Sequence, residues 1–203
     1  MNYHQLIMRA FTEGATSDDE AFAGMEREFV FTLRPAGTLR VPSGRIMVGD
    51  PLGGPQDALA VPVEPGTYEV VLSILRFTDT GEERVAFARV GAPFTDDSEL
   101  FRYAEQDEDS AIEVDSGAAG FFDESVIRLL DGEDEPTPLQ TRLLEATDTE
   151  SEATWFAADL PADSHTNLIA FSAGFGDGDY PVSVVPDEAG ETAKTILLDF
   201  VTE

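Results

Sequence analysis

Apolar residues near the start of the chain recur at Tyr3, Leu6, Ile7, Ala10 and Phe11, the spacing of one helix face. Ser17 and Glu20 form a capping-box pair, which predicts a second short helix through Met25. The period then drops to two. From Glu28 to Arg34, Phe29 and Phe31 alternate with Val30 and Thr32, and Arg45–Gly49 reads as a short strand entering the turn Asp50-Pro51-Leu52-Gly53-Gly54-Pro55. Thr67–Phe77 and Arg84–Val90 are β-rich and are joined by Thr78-Asp79-Thr80-Gly81-Glu82-Glu83. They predict a hairpin with Tyr68, Val70, Leu72 and Ile74 on one face.

The acidic stretch Thr95–Ser110 reads as a solvated connection with one helical turn around Phe101 and Tyr103. A strand at Ala111–Val114, a helix near Asp123–Leu130 and a charged loop at Asp131–Thr137 follow. Pro138 suits the first turn of a helix reaching Ala146. Strands are expected at Thr154–Ala158, Asn167–Ser172, Tyr180–Val185 and Lys194–Val201. No repeat and no Pro/Gly/Ser linker divides the chain. The reading is an α+β fold in one domain: a mainly antiparallel β-sheet, sandwich-like or a half-barrel, with short N-terminal and central helices. Residues 1–26 supply helices packing on the sheet, and 27–203 form the β-rich body.

Composition narrows the chemistry. The chain of 203 residues has 41 acidic and 12 basic side chains, a formal net charge of −29, and no Cys. Disulfides, thiolate metal sites and cysteine nucleophiles are excluded. Multi-histidine metal centres fall too, since His4 and His165 are the only imidazoles. A field this negative repels nucleic acid and anionic membrane surfaces. Lys194 is the only lysine. Acids spread along the whole chain, with almost no ammonium groups, suit a protein dissolved at high salt, where screening removes self-repulsion. No run approaches the roughly 18 apolar residues of a membrane span, and Met1–Phe11 lacks the pattern of a secretory leader. The expectation is a soluble cytoplasmic protein.

Three glycine- and acid-bearing loops lie at strand ends: Ser43–Pro51, Val114–Asp123 and Ser172–Tyr180. Gly174, Gly176 and Gly178 alternate, but G-x-G-x-G followed by Tyr180-Pro181 is not a dinucleotide fingerprint. Asp177, Asp179, Ser183 and Glu188 echo calcium-loop spacing, yet Val182 stands where the sharp turn needs glycine. Asp side chains in such loops ordinarily cap local amides. Should Asp115, Asp123 and Asp177 converge, they would offer oxygen ligands for one Mg²⁺ or Ca²⁺, with Ser116 as a candidate nucleophile. A triad of Ser116, His165 and an Asp lacks the nucleophile elbow. Arg45, Arg84 and Arg89 lie in β segments beside these loops and suit bidentate anion binding. Asp199, between Leu198 and Phe200, is expected to meet Arg84 or Arg89. Trp155, beside Phe156, reads as core.

The Asp115-Ser116-Gly117 segment with Phe122 and Asp123, the Phe175-Gly176-Asp177-Gly178-Asp179-Tyr180 segment, Ala86-Phe87-Ala88-Arg89 upstream, and Asp187-Glu188-Ala189-Gly190 and Leu198-Asp199-Phe200 downstream together resemble the bacterial and archaeal family described as domain of unknown function 4241. The resemblance covers roughly Gly44 to Val201, with several motifs in the same order. Ala119 stands where members often carry Cys. What this implies is a shared fold, and no activity comes with it.

The leading functional reading is a non-catalytic module that presents Gly/Asp-rich loops to a protein or small-molecule ligand, with Arg45, Arg89, Gly176, Gly178 and Tyr180 as ligand contacts and no cofactor. The alternative is a hydrolase assisted by Mg or Ca, with Asp115, Asp123 and Asp177 as ligands and an arginine stabilising developing negative charge. The charge makes its own forecast. Thermal stability should rise steeply between low and molar KCl; a Tm unchanged over that range would contradict adaptation to salt.

Overall fold

A computed structural model describes residues 3–16, 27–95, 98–102, 111–132, 135–147 and 157–201. The helix expected at 17–25 and the strand expected to hold Trp155 lie outside these residues, wholly or in their first part. Two antiparallel sheets of twelve strands hold nearly half of the described residues. The first sheet runs β1 (Phe29–Val41), β4 (Gly66–Phe77), β5 (Glu83–Gly91), β12 (Ala193–Asp199) and β11 (Gly178–Pro186). Two short strands, β6 (Phe101–Arg102) and β7 (Ala111–Val114), take successive stretches of the far edge of β11. The second sheet runs β3 (Leu59–Pro62), β2 (Arg45–Gly49), β8 (Ala118–Asp123), β10 (Asn167–Ser172) and β9 (Ala157–Pro161).

Three apolar clusters give this arrangement its layers. Between the sheets pack Val70, Leu72 and Ile74 of β4 with Val48, Phe121, Phe171 and Ile196. On the outer face of the first sheet, Phe29, Phe31, Leu75 and Phe87 receive Leu6, Ile7 and Ala10, the apolar face of helix α1 (Tyr3–Ala10). On the outer face of the second sheet, Met47, Phe122 and Leu168 pack on Val126, Leu130, Leu139 and Leu143. These come from a 3-10 turn at Glu124–Val126, helix α2 (Ile127–Leu130) and helix α3 (Pro138–Thr147). The result is a four-layered sandwich, open at its edges.

The expected hairpin and its inward face of Tyr68, Val70, Leu72 and Ile74 are present. Other expectations need correction. The stretch Ala118–Asp123, read as loop, is the central strand of the second sheet. Its run is buried throughout because both faces are covered, so no alternation marks it. Phe121 enters the inner core and Phe122 the outer one. The short strand β3 was also unforeseen. Phe101 and Arg102 form strand rather than a helical turn, since the open edge of β11 supplies partners for their backbone.

The first strand is longer than its alternation suggests, for a reason visible in its register. Phe29 and Phe31 face α1, whereas Leu39 and Val41 face the inter-sheet core. All four are odd-numbered, so one residue must be absorbed between them. It is: Pro35 pairs with Val71 and Gly37 with Val70, leaving Ala36 extra in a bulge. An extra residue exchanges the faces of everything beyond it. Beyond the bulge the strand is tied to the second sheet by Asn167, whose side-chain Nδ2 donates to the Thr38 carbonyl at 3.0 Å while its Oδ1 accepts from Arg40 N–H at 2.9 Å. This buried amide substitutes for a strand partner where no strand fits.

Between β10 and β11 the chain reverses at Gly174, whose φ is +65°. A Cβ there would stand 1.9 Å from the Val85 carbonyl oxygen, so Gly174→Ala meets both a backbone clash and an unfavourable φ. The substitution should cost at least about 2 kcal/mol. A urea midpoint within error of the parent would show that the loop relaxes freely.

Candidate functional site

Asp50 follows the last residue of β2 and is buried. Its carboxylate accepts five hydrogen bonds: from the N–H groups of Leu52 and Gly53 in its own turn, from the N–H groups of Asp115 and Ser116, and from Ser116 Oγ at 2.6 Å. Hydrogen bonds to an ionised group are each worth about 1.5–3 kcal/mol, so one side chain fastens the β2 turn to the β7–β8 loop. Sequence reading placed Asp50 in a turn but gave it no larger role. The Asp-Pro-Leu-Gly segment signals only the local half of its bonding.

The loops around 115 and 177 are neighbours. The start of β11 pairs with β7, setting Gly178 opposite Val114, and the Ala173 N–H donates to the Gly117 carbonyl at 2.9 Å. Asp115 and Asp177 are both exposed at this end. Ser116 Oγ is occupied, donating to Asp50 and accepting from Ala118 N–H at 3.3 Å. His165 is exposed in the β9–β10 turn, where its N–H is held by Asp163. Tyr180 is a core residue: its ring meets Phe200 edge-on at 4.8 Å and its hydroxyl donates to the Gly176 carbonyl at 2.9 Å. Burial, with Asp177 nearby, raises its pKa. Gly176 and Gly178 thus frame a loop braced from within.

Asp123 is not brought to this end. Strand β8 separates it from the Ser116 loop by about 17 Å, at roughly 3.3 Å per residue. There it caps the 3-10 turn before α2, accepting from Ser125 N–H at 2.9 Å and from Ser125 Oγ at 2.5 Å, and it binds Ser43 N–H at 3.0 Å across the sheet corner. Burial pushes its carboxyl up, but the hydrogen bonds from Ser125 and Ser43 outweigh this and hold the pKa below the usual value. Arg45 is at the same corner, exposed, with Nη1 3.9 Å from Glu124. Among the described residues, no group of three or more His, Asp or Glu side chains is placed to hold a metal ion.

The arginines differ from expectation. Arg84 pairs with Glu82 at 2.7 Å and lies over the Phe175 ring. Asp199 accepts from Tyr3 Oη and Val201 N–H, both at 2.9 Å, so α1 supplies the partner expected from an arginine. Arg89, on the α1 side of β5, is only 6% exposed. Its Nε, closed off from solvent, has no hydrogen-bond partner, and its nearest acid is Glu69, 3.5 Å from Nη2. The Phe11 ring lies 5.4 Å from the guanidinium carbon. Burial lowers the Arg89 pKa against the opposing charge of Glu69.

Glu69 lines a cavity of about 370 Å³ at the end of the first sheet, with Tyr68, Gly91, Ala92 and Lys194. A second cavity of about 450 Å³, walled by Pro93, Phe101 and Val185, adjoins it and shares Ala92, Asp187 and Lys194. The only lysine of the chain therefore stands between two hollows. Sequence reading missed this cleft, because it draws on the ends of β4, β5, β11 and β12, which are far apart in the chain. The scarcity of lysine was the one available signal.

A family model described as "Protein of unknown function (DUF4241)" matches residues 39–197. No curated protein and no solved structure matches the chain. Among the described residues no helix is long and apolar enough to cross a membrane.

The depressed pKa of Asp123 has a definite sign in stability. Its contribution is complete above the unfolded carboxyl value of about 3.9 and is lost as pH falls through the lower folded value. Asp123→Asn should therefore destabilise the protein at neutral pH and flatten the acid limb of its stability curve. Urea unfolding at pH 7 and pH 3 measures both effects, and parallel curves for parent and variant would refute the assignment.

Proposed function

The chain belongs to the DUF4241 family, and we propose that it serves as a non-catalytic binding module whose ligand is an anion received by Arg89 beside the Lys194 cleft. One observation carries this reading: a guanidinium that is 6% exposed, with a buried Nε lacking any hydrogen-bond partner. Arginine offers five N–H donors and stays charged. Removing such a group from water costs several kcal/mol unless it is paired and hydrogen-bonded. The available compensation is small. A cation–π contact contributes about 0.5–2 kcal/mol, and Glu69 lies beyond the 2.7–2.9 Å of a charge-assisted hydrogen bond. A bound carboxylate or phosphate would supply the short, direct contact that Arg89 Nη2 lacks.

The other candidate contacts support a ligand less well. Arg45 is an exposed group beside Glu124, an arrangement worth little in water. Gly176 and Tyr180 bond to each other, and Gly178 is taken up in the pairing with β7. The Gly/Asp loops are thus best read as the rigid end of the sandwich. A module of this charge has no affinity for nucleic acid on electrostatic grounds.

The test is a titration with benzoate and with inorganic phosphate, followed by the amide resonances of Gly91, Ala92 and Lys194. Saturable shifts are expected in the parent and not in Arg89→Met. That variant should remain folded, because an apolar residue of similar volume is tolerated where a buried charge stood. The reading fails if neither anion shifts these signals, or if Arg89→Met responds as the parent does.

A further inference from the structure

Glu69 occupies an unusual position. Among the described residues its carboxylate is the one acid paired with Arg89, yet the contact is long, 3.5 Å, and the Glu69 side chain is 61% exposed while that of Arg89 is 8% exposed. A partner fixed for stability would be expected to reach bidentate geometry, as Arg27 does with Asp79 through Nε and Nη2 at distances down to 2.8 Å. Glu69 is instead a loosely held carboxylate that both contacts a buried guanidinium and lines a cavity whose wall does not include Arg89 itself.

The cavity adds the rest of a ligand's outline. At about 370 Å³ it falls in the range of small-molecule sites. Its walls are largely carbon, from the Tyr68 ring, Ala92 and Ala193, with Gly91 and Lys194 beside them. Gly91 cannot be filled: its φ is +104°, and a Cβ would stand 2.3 Å from the Lys194 carbonyl oxygen. Close packing of β5 on β12 therefore requires glycine at this wall. The rim is acidic, through Glu64, Glu69 and Asp187. A dianion would be repelled by all three, whereas a single negative charge can be offset by Arg89 and Lys194.

We infer that Glu69 is a built-in competitor that holds the anion position beside Arg89 until it is displaced by an organic monocarboxylate, whose apolar body enters the Tyr68–Ala92 cavity. This deepens the binding reading above and rests on it. When a resident group closes a site most of the time, the measured affinity is reduced by the fraction of time the site is open. Removing the resident charge restores that loss.

The experiment compares the parent, Glu69→Gln and Arg89→Met for binding of benzoate, octanoate and inorganic phosphate by calorimetry, with circular dichroism confirming each fold. Glu69→Gln should bind the two carboxylates about tenfold more tightly than the parent, as expected if Glu69 closes the site roughly nine-tenths of the time. Phosphate should bind more weakly than either carboxylate. Equal carboxylate affinity in parent and Glu69→Gln overturns the competitor role, and it leaves the anion reading standing if Arg89→Met still abolishes binding. Phosphate binding tighter than the carboxylates overturns the ligand class. Absence of binding to every protein overturns both the inference and the reading beneath it.

Discussion

Both sheets are apolar on both faces, and the rest of the architecture answers that constraint. A sheet with one wet face needs one partner layer; these two need each other and a helical cover apiece. Helix α1 covers the first sheet through Leu6, Ile7 and Ala10, and α2 and α3 cover the second through Leu130, Leu139 and Leu143. The bulge after Pro35 follows from the same demand. Without it, β1 could not place Phe29 and Phe31 under α1 and also Leu39 and Val41 in the inter-sheet core.

Three carboxylates are buried, at Asp50, Asp123 and Asp199, and the ion pairs of Arg27, Arg45, Arg84, Arg89 and Lys194 go to other acids. Backbone amides and hydroxyls bind these three. Asp50 draws on Leu52, Gly53, Asp115 and Ser116; Asp123 on Ser43 and Ser125; Asp199 on Tyr3 and Val201. Such bonds lie inside the protein and are screened by salt far less than surface ion pairs are. Each of the three acids adds to its local bonds at least one to a segment distant in sequence, so an acid that reads as an ordinary loop residue becomes a fastener between elements. Where a base is buried, at Arg89, the pattern differs: its Nε is left without a hydrogen bond, as is Nε of the half-buried Arg40. That asymmetry gives the position its interest.

The two ends of the sandwich are built differently. At the end holding Ser116, Gly117 and Gly174, loops are cross-tied through Asp50 and Tyr180 and leave little backbone unspent. At the end holding Gly91 and Lys194, two adjoining cavities open beside the ends of β4, β5, β11 and β12. Lys194 comes no closer than 3.9 Å to Glu188. The loops of a β-sandwich cluster at its two ends, and here the two clusters differ in how far they are tied together.

The periodic segments were legible from residues alone, because each carries its own signature: the helix face of Tyr3–Ala10, the inward row from Tyr68 to Ile74 and the Pro138 start of α3. Composition and the family resemblance likewise needed no coordinates. What the chain could not announce was anything set by two faces at once or by residues far apart. Strand β8 hides because burial on both sides erases alternation, and Asp199 found Tyr3 rather than an arginine because α1 crosses that face. The distance from Asp123 to the Ser116 loop, and the meeting of Arg89 with Glu69 beside a cavity, depend on strand order and register. Those are collective properties of packing, and no local pattern of side chains encodes them separately.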